Sequence, residues 1–177
     1  MISLSQLQQI FTANPNGCAK YADAINMACA KFSINTPLRI AAFLAQIGHE
    51  SGQLVYVREI WGPTAVQKGY EGRADLGNTQ PGDGRKYLGR GFIQITGRAN
   101  YQKLSEDLNT DFITSPQLLE QPEYAAMSAG WFWNEHNLNV LADKAQFITI
   151  TRRINGGTNG LAARQALYAK AKQVLGV

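Results

Sequence analysis

Between residues 62 and 91 the chain places eight of its 17 glycines: Gly62, Gly69, Gly72, Gly77, Gly82, Gly84, Gly89 and Gly91. A segment so polar and turn-rich cannot be core. On either side of it apolar residues recur at helical spacing. The chain is therefore expected to be mainly α (α+β), with a small β or loop-rich lobe at about 53–91 set into a helical lobe. Long structured insertions of this kind in compact domains are often functional. At 177 residues, 45% apolar and 17% charged, one domain covering 1–177 with one core is expected, and intrinsic disorder is excluded. No apolar run reaches the ~18 residues that a membrane span needs.

Ser3 can cap a short helix ending near Phe11, and Asn14 to Gly17 read as a turn before a helix from about Cys18 to Lys31. Thr36 followed by Pro37 is a strong helix start. The helix that follows carries Ile40, Phe43, Leu44 and Ile47 on one stripe and should stop near Ser51-Gly52. QLVYVREIW, residues 53–61, is β-branched and aromatic and reads as a strand. GFIQITG reads as a short strand or as an extended lead into a helix capped near Thr96. Further helices are expected over Pro122 to His136, over about 139–154 with a break near Lys144, and from Asn159-Gly160 to about Leu175.

Cys18 and Cys29 lie on one expected helix, ~16 Å apart by helical rise, which is too far for a disulfide. His49 and His136 are the only histidines, and no paired-cysteine spacing occurs, so no zinc site and no cofactor are expected. The formal charge is +4, but its distribution is uneven. After Asp143 there is no acid and there are six bases. This basic end is first a solvated helix face and second a candidate contact for nucleic acid, an anionic membrane or another anionic polymer.

Among the acids, Glu50 stands out. It lies on the shoulder of the apolar stripe and in the last turn of its helix. Partial burial and the negative helix end both disfavour a charged carboxylate there, as suits a general acid. Its plain alternative is an ion pair with Arg39, Arg58 or His49. Glu59 follows nine residues later, beside Arg58, which would help keep it ionised as a base. Two carboxylates flanking a scissile bond are the apparatus of glycosidases. Trp61, Tyr56, Tyr70 and Tyr87 cluster nearby, and aromatic faces can stack on sugar rings or pack in a core. In GRGFIQITGRANY, residues 89–101, Gln94, Thr96 and Asn100 form a row of neutral hydrogen-bonders suited to an N-acetylated sugar or a positioned water. Arg90 is a candidate structural partner for a glutamate. Asn155, in INGGTNG, either caps a helix or reaches the cleft.

These residues carry a resemblance. AAFLAQIGHESG, the run from Gly82 to Tyr101, AAMSAGWFW and ITRRINGG together resemble glycoside hydrolase family 19, the family-19 chitinases and related phage and bacterial lysins. The resemblance implies a lysozyme-like two-lobed fold and an inverting mechanism. It implies Glu50 as general acid, Glu59 as general base and Thr96 as holder of the attacking water. Gln94, Asn100 and Asn155 match sugar-contacting positions. Tyr87 and Trp61 are added to these as aromatic candidates. His49, Arg90 and Arg164 are supporting positions, Arg164 by a loose alignment. Carboxyls roughly 6.5–9.5 Å apart are what inversion requires.

The cysteine-poor form is more similar to the phage lysins than to the plant enzymes. The expected activity is therefore hydrolysis of β-1,4 bonds in peptidoglycan, between N-acetylmuramic acid and N-acetylglucosamine. Chitin is the alternative substrate. A lytic transglycosylase and a non-catalytic glycan-binding domain are weaker readings, because both glutamates are present. No nucleic-acid partner is implied, and nothing demands more than a monomer. MISLSQLQQIF lacks a basic start and a long apolar stretch, so no secretory signal is expected. Synthesis in a bacterial cytoplasm and holin-dependent release to the wall are what the resemblance implies.

Overall fold

The computed structural model describes residues 1–177 as ten α-helices joined by turns and two 3-10 turns. Helix α1, Leu4–Ile10, begins with a capping box between Ser3 and Gln6. Helix α2, Pro15–Lys31, starts earlier than expected. Asn14 and Pro15 are its N-cap and first residue, because the Asn14 side chain accepts the Gly17 N–H at 2.9 Å. Helix α3, Pro37–Glu50, is buried continuously from Ile40 to Gly48. Thr36 caps it as expected. Each large apolar side chain buried here contributes roughly 1.5–3 kcal/mol.

The glycine-rich segment contains two short helices not expected from the sequence, α4 (Ala65–Lys68) and α5 (Asp83–Lys86). Then come α6 (Arg98–Leu108), α7 (Pro122–Glu135), α8 (Leu138–Asp143), α9 (Phe147–Asn155) and α10 (Leu161–Leu175). The expected break near Lys144 is the C-cap of α8. Helix α10 packs along α3, and α2 packs along α7. A cluster of 39 buried residues joins these helices, with Tyr101 of α6, to Tyr87 and Phe92 from the loop-rich part. Cys18 and Cys29 are free and buried, and burial pushes the Cys29 thiol up to about 12. No helix is long and apolar enough to cross a membrane.

The strand expected at 53–61 does not form. Ser51 Oγ donates to the Ile47 carbonyl at 2.6 Å and accepts the Leu54 N–H at 2.8 Å, so the chain coils at the end of α3. Gly52, Gln53 and Leu54 then take left-handed backbone angles (φ 58°, 58° and 67°). For Gln53 and Leu54 that conformation costs roughly 1–2 kcal/mol each. GFIQITG is likewise a tight turn, with Gln94 at φ 59°. The β content here is two antiparallel bridges, Arg58 to Arg90 and Arg90 to Ile95.

Candidate functional site

Glu50 ends α3, with its side chain 20% exposed. Its partner is not Arg39 or Arg58 but Arg164 of α10, whose Nη2 donates to Oε1. Arg164 is itself buried; its Nη1 donates to Gln46 Oε1 at 2.6 Å and its Nε to the Asn159 carbonyl at 3.2 Å. Arg39 instead pairs with Asp143, whose carboxyl it holds below the usual range. The loosely aligned Arg164 thus does lie at Glu50, and it does not belong to the basic outer face of its helix. His49 is half-buried beside the pair. Burial, then the Arg164 charge, pushes its imidazole below its ordinary value, against the opposing pull of Glu50.

Glu59 sits where the coiled turn meets residue 89. Its backbone N–H donates to the Gly89 carbonyl at 2.8 Å, and the Gly89 N–H returns a bond to Glu59 Oε2 at 3.1 Å. Glu59 Oε1 accepts from Gln67 Nε2 at 3.0 Å and from the Tyr70 hydroxyl at 3.2 Å. Arg58 does not pair with Glu59, as had been expected. It lies 3.8 Å from Glu120, which also accepts Arg90 Nε at 2.8 Å. Arg90, buried among Glu120, Tyr101 and the Lys86 carbonyl, is a structural residue, in line with its sequence reading.

Gly89 also joins Glu59 to the polar row. A Cβ placed on Gly89 would lie 2.8 Å from Gln94 Oε1 and 3.3 Å from Thr96 Oγ1, so both side chains rest on its bare face. Gln94 and Thr96 share one side as expected, although they do so across a turn and not along a strand. Thr96 does not cap α6. Its hydroxyl donates to the Gln94 carbonyl at 2.9 Å, and Gly97 takes the cap position. Asn100 is exposed and donates to the Thr96 carbonyl at 2.8 Å. Gln94, Thr96 and Asn100 line a cleft of about 320 Å³ together with Trp131, Phe132 and His136. Ile154 lines the same cleft, and its neighbour Asn155 ends α9 with a buried Oδ1 that has no protein hydrogen bond.

Two aromatic expectations separate. Tyr87 is fully buried, with its hydroxyl donating to the Ile113 carbonyl at 3.2 Å; it is core and not a cleft wall. Trp61 is half-buried, with its ring 6.4 Å from that of Tyr70. Sequence reasoning missed Gln67 and His136. The Thr64-x-x-Gln67 capping-box pattern was the available signal for the first. For His136, which stacks on Phe132 at 3.9 Å, spacing four residues along α7 was the only one.

A family model described as chitinase class I, glycoside hydrolase family 19, matches residues 22–143. A family-19 domain-containing protein of Haemophilus influenzae is 32% identical across 95% of this chain and 94% of its own length. An Arabidopsis thaliana endochitinase is 39% identical over 67% of this chain, which spans only 39% of that enzyme. Among solved structures, a bacterial family 19 chitinase superposes with a TM-score of 0.81 and 27% identity, covering 99% of this chain and 95% of that one. Chitinase C from Streptomyces griseus gives 0.78 and 25%, covering 99% of this chain and 77% of that one. The mainly helical architecture is shared with both. With most of its length matched by the family model and by the Haemophilus relative, this chain belongs to glycoside hydrolase family 19.

Proposed function

We propose that the protein hydrolyses β-1,4 bonds in the glycan strands of peptidoglycan by an inverting mechanism. The observation that carries this reading is the contrast between two carboxylates. Glu50 ends a core helix and is held through Oε1 by a buried arginine. Glu59 is held by three neutral donors beside Gly89, Gln94 and Thr96. Each carboxyl is thereby held in one orientation, Glu50 at the end of α3 and Glu59 beside the polar row. In the reaction Glu50 gives its proton to the leaving glycosidic oxygen as the bond to the anomeric carbon breaks. Water attacks that carbon from the opposite face and loses a proton to Glu59. Gln94 and Asn100 supply hydrogen bonds to hydroxyl and acetamido groups in the cleft they line.

Peptidoglycan is favoured by the excess of positive charge after residue 143, which suits an anionic polymer. The same reading has the enzyme made in a bacterial cytoplasm and acting at the wall after release. Chitin is the second reading, favoured by the chitinase names of the plant and bacterial relatives. Digestion of purified peptidoglycan and of chitin oligomers, with mass spectrometry of the new ends, separates them. Reducing N-acetylmuramic acid ends support the proposal. Reducing N-acetylglucosamine ends from peptidoglycan mean a glucosaminidase, anhydro ends a transglycosylase, and activity on chitin alone overturns the peptidoglycan reading.

A further inference from the structure

The two oxygens of Glu59 are not equivalent. Oε1 accepts two hydrogen bonds, from Gln67 Nε2 at 3.0 Å and Tyr70 Oη at 3.2 Å, while Oε2 accepts one, from Gly89 at 3.1 Å. The Gln67 side chain is fixed from behind, and the backbone of Tyr70 is tied in place. Gln67 is buried, its Nε2 also donates to the Ile60 carbonyl at 2.8 Å, and its Oε1 accepts the Thr64 N–H at 2.8 Å and the Gly62 N–H at 3.1 Å. The Tyr70 carbonyl accepts Asn78 Nδ2 at 2.9 Å, and buried Asn78 accepts the Arg98 N–H at 2.8 Å. Gln67 therefore cannot swing away without breaking other bonds.

We propose that Gln67 and Tyr70 are positioning residues that saturate Glu59 Oε1 and make Oε2 the atom that takes the proton of the attacking water. The proposal rests on Glu59 being the general base. A carboxylate oxygen has two lone-pair directions. Those of Oε1 are both taken, and Oε2 keeps one. Oε2 lies at the Gly89 N–H, and the bare face of Gly89 meets Thr96 Oγ1. Thr96 spends its proton on the Gln94 carbonyl, so toward a water it can only accept. A water donating one hydrogen to Oε2 and the other to Thr96 Oγ1 turns its oxygen lone pair outward. That lone pair bonds to the anomeric carbon while the first hydrogen passes to Oε2. The leaving oxygen departs with its bonding pair and takes the proton from Glu50. Burial, and then the adjacent Glu59 charge, push the Tyr70 hydroxyl above its ordinary value, so it remains a donor throughout. The gain is orientation, since a base misplaced by a rotamer change cannot reach the water.

The test is a double-mutant cycle, run on whichever of purified peptidoglycan or chitin hexamer the wild-type enzyme cleaves. Glu59→Gln comes first; a loss in kcat of less than about tenfold rejects the base assignment itself, and the clamp with it. Given the larger loss, Tyr70→Phe should lower kcat by about tenfold with KM unchanged. In the Glu59→Gln background the same change should cost less than about twofold, because the group it acts through is gone. An equal loss in both backgrounds, a loss seen in KM, or no loss overturns the proposal while leaving Glu59 as the base. Gln67→Met should behave like Tyr70→Phe. Because Gln67 also caps α4, thermal melting accompanies each variant, and Tyr70→Phe decides the matter if Gln67→Met does not fold.

Discussion

Arg164 forks between two residues of α3 that lie one turn apart, donating to Glu50 Oε1 through Nη2 and to Gln46 Oε1 through Nη1. Helix α10 is thereby fastened to the end of the helix that presents Glu50. Since Arg164 is buried, losing it leaves the buried Gln46 amide oxygen without its donor and releases Glu50. Arg164→Met is expected to destabilise the fold by about 1–3 kcal/mol, the cost of leaving a buried amide acceptor without its donor, since Glu50 at 20% exposure can turn to water. Arg164→Lys keeps the charge but cannot span both acceptors, so it should fall between Met and wild type. Urea unfolding at neutral pH measures this; a loss below about 1 kcal/mol for Arg164→Met would show the fork to be energetically idle.

The roles of the two glutamates and of Thr96 predict an order of losses. Glu50→Gln and Glu59→Gln should each lower kcat by about 100-fold or more, because each removes a proton-transfer group. Thr96→Val should cost about tenfold, since it orients water without moving the proton. Circular dichroism should show all three folded. A Thr96→Val loss exceeding that of Glu59→Gln would reverse the assignment of the base.

Gly89 gives a steric prediction. Gly89→Ala keeps the backbone bonds to Glu59 but places a methyl 2.8 Å from Gln94 Oε1 and 3.3 Å from Thr96 Oγ1. Both side chains must shift, so turnover should fall by about tenfold or more. Wild-type kinetics in Gly89→Ala would mean that the polar row tolerates displacement and does not set the water.

These residues also show what was legible beforehand. The apolar stripe of α3 and the Thr36-Pro37 start were readable because they are local patterns. So were the break near Lys144 and the last helix. Residues 53–61 misled because β-branched content was read without knowing that Ser51 would coil the chain. A strand needs a partner, and only Arg58 finds one, in a single bridge. Glu50 and Glu59 stood out by their positions, but their partners did not. Arg164 is 114 residues from Glu50, so nothing local links them and only the loose family alignment pointed there; Gly89, 30 from Glu59, is assigned by the tertiary fold. Tyr87 shows the converse: an aromatic near the site in sequence becomes core once its hydroxyl finds the Ile113 carbonyl.

His49 predicts an acid-side loss of stability. Its folded value lies below the ordinary 6.5, chiefly through burial and then through Arg164. The unfolded chain therefore takes up a proton first as pH falls, and more protons on the unfolded state mean lower stability. Stability should be full above the ordinary value and decline as pH drops through it toward the folded value. His49→Gln should flatten this part of the melting-temperature profile, on the acid side of the ordinary imidazole value. An unchanged slope would assign the decline to the carboxylates.

The last helix predicts a salt-dependent contact. Arg164 is turned inward, so the outer charge of α10 comes from Lys170, which is exposed, and Lys172, whose ammonium lies 5.8 Å from the Tyr168 ring. Tyr168 in turn stacks on Phe147 at 4.3 Å, which fixes this face against α9. Replacing Lys170 and Lys172 with Gln together should leave the core intact, because neither lysine is buried. Binding to anionic cell-wall sacculi should weaken at low salt, and the difference from wild type should vanish as added salt screens it. Cleavage of small neutral oligomers should not change, since such substrates offer the lysines no charge. A sedimentation assay on sacculi beside an oligomer assay decides it: equal losses in both would make the helix purely structural, whereas loss on sacculi alone would assign the charge after residue 143 to the wall.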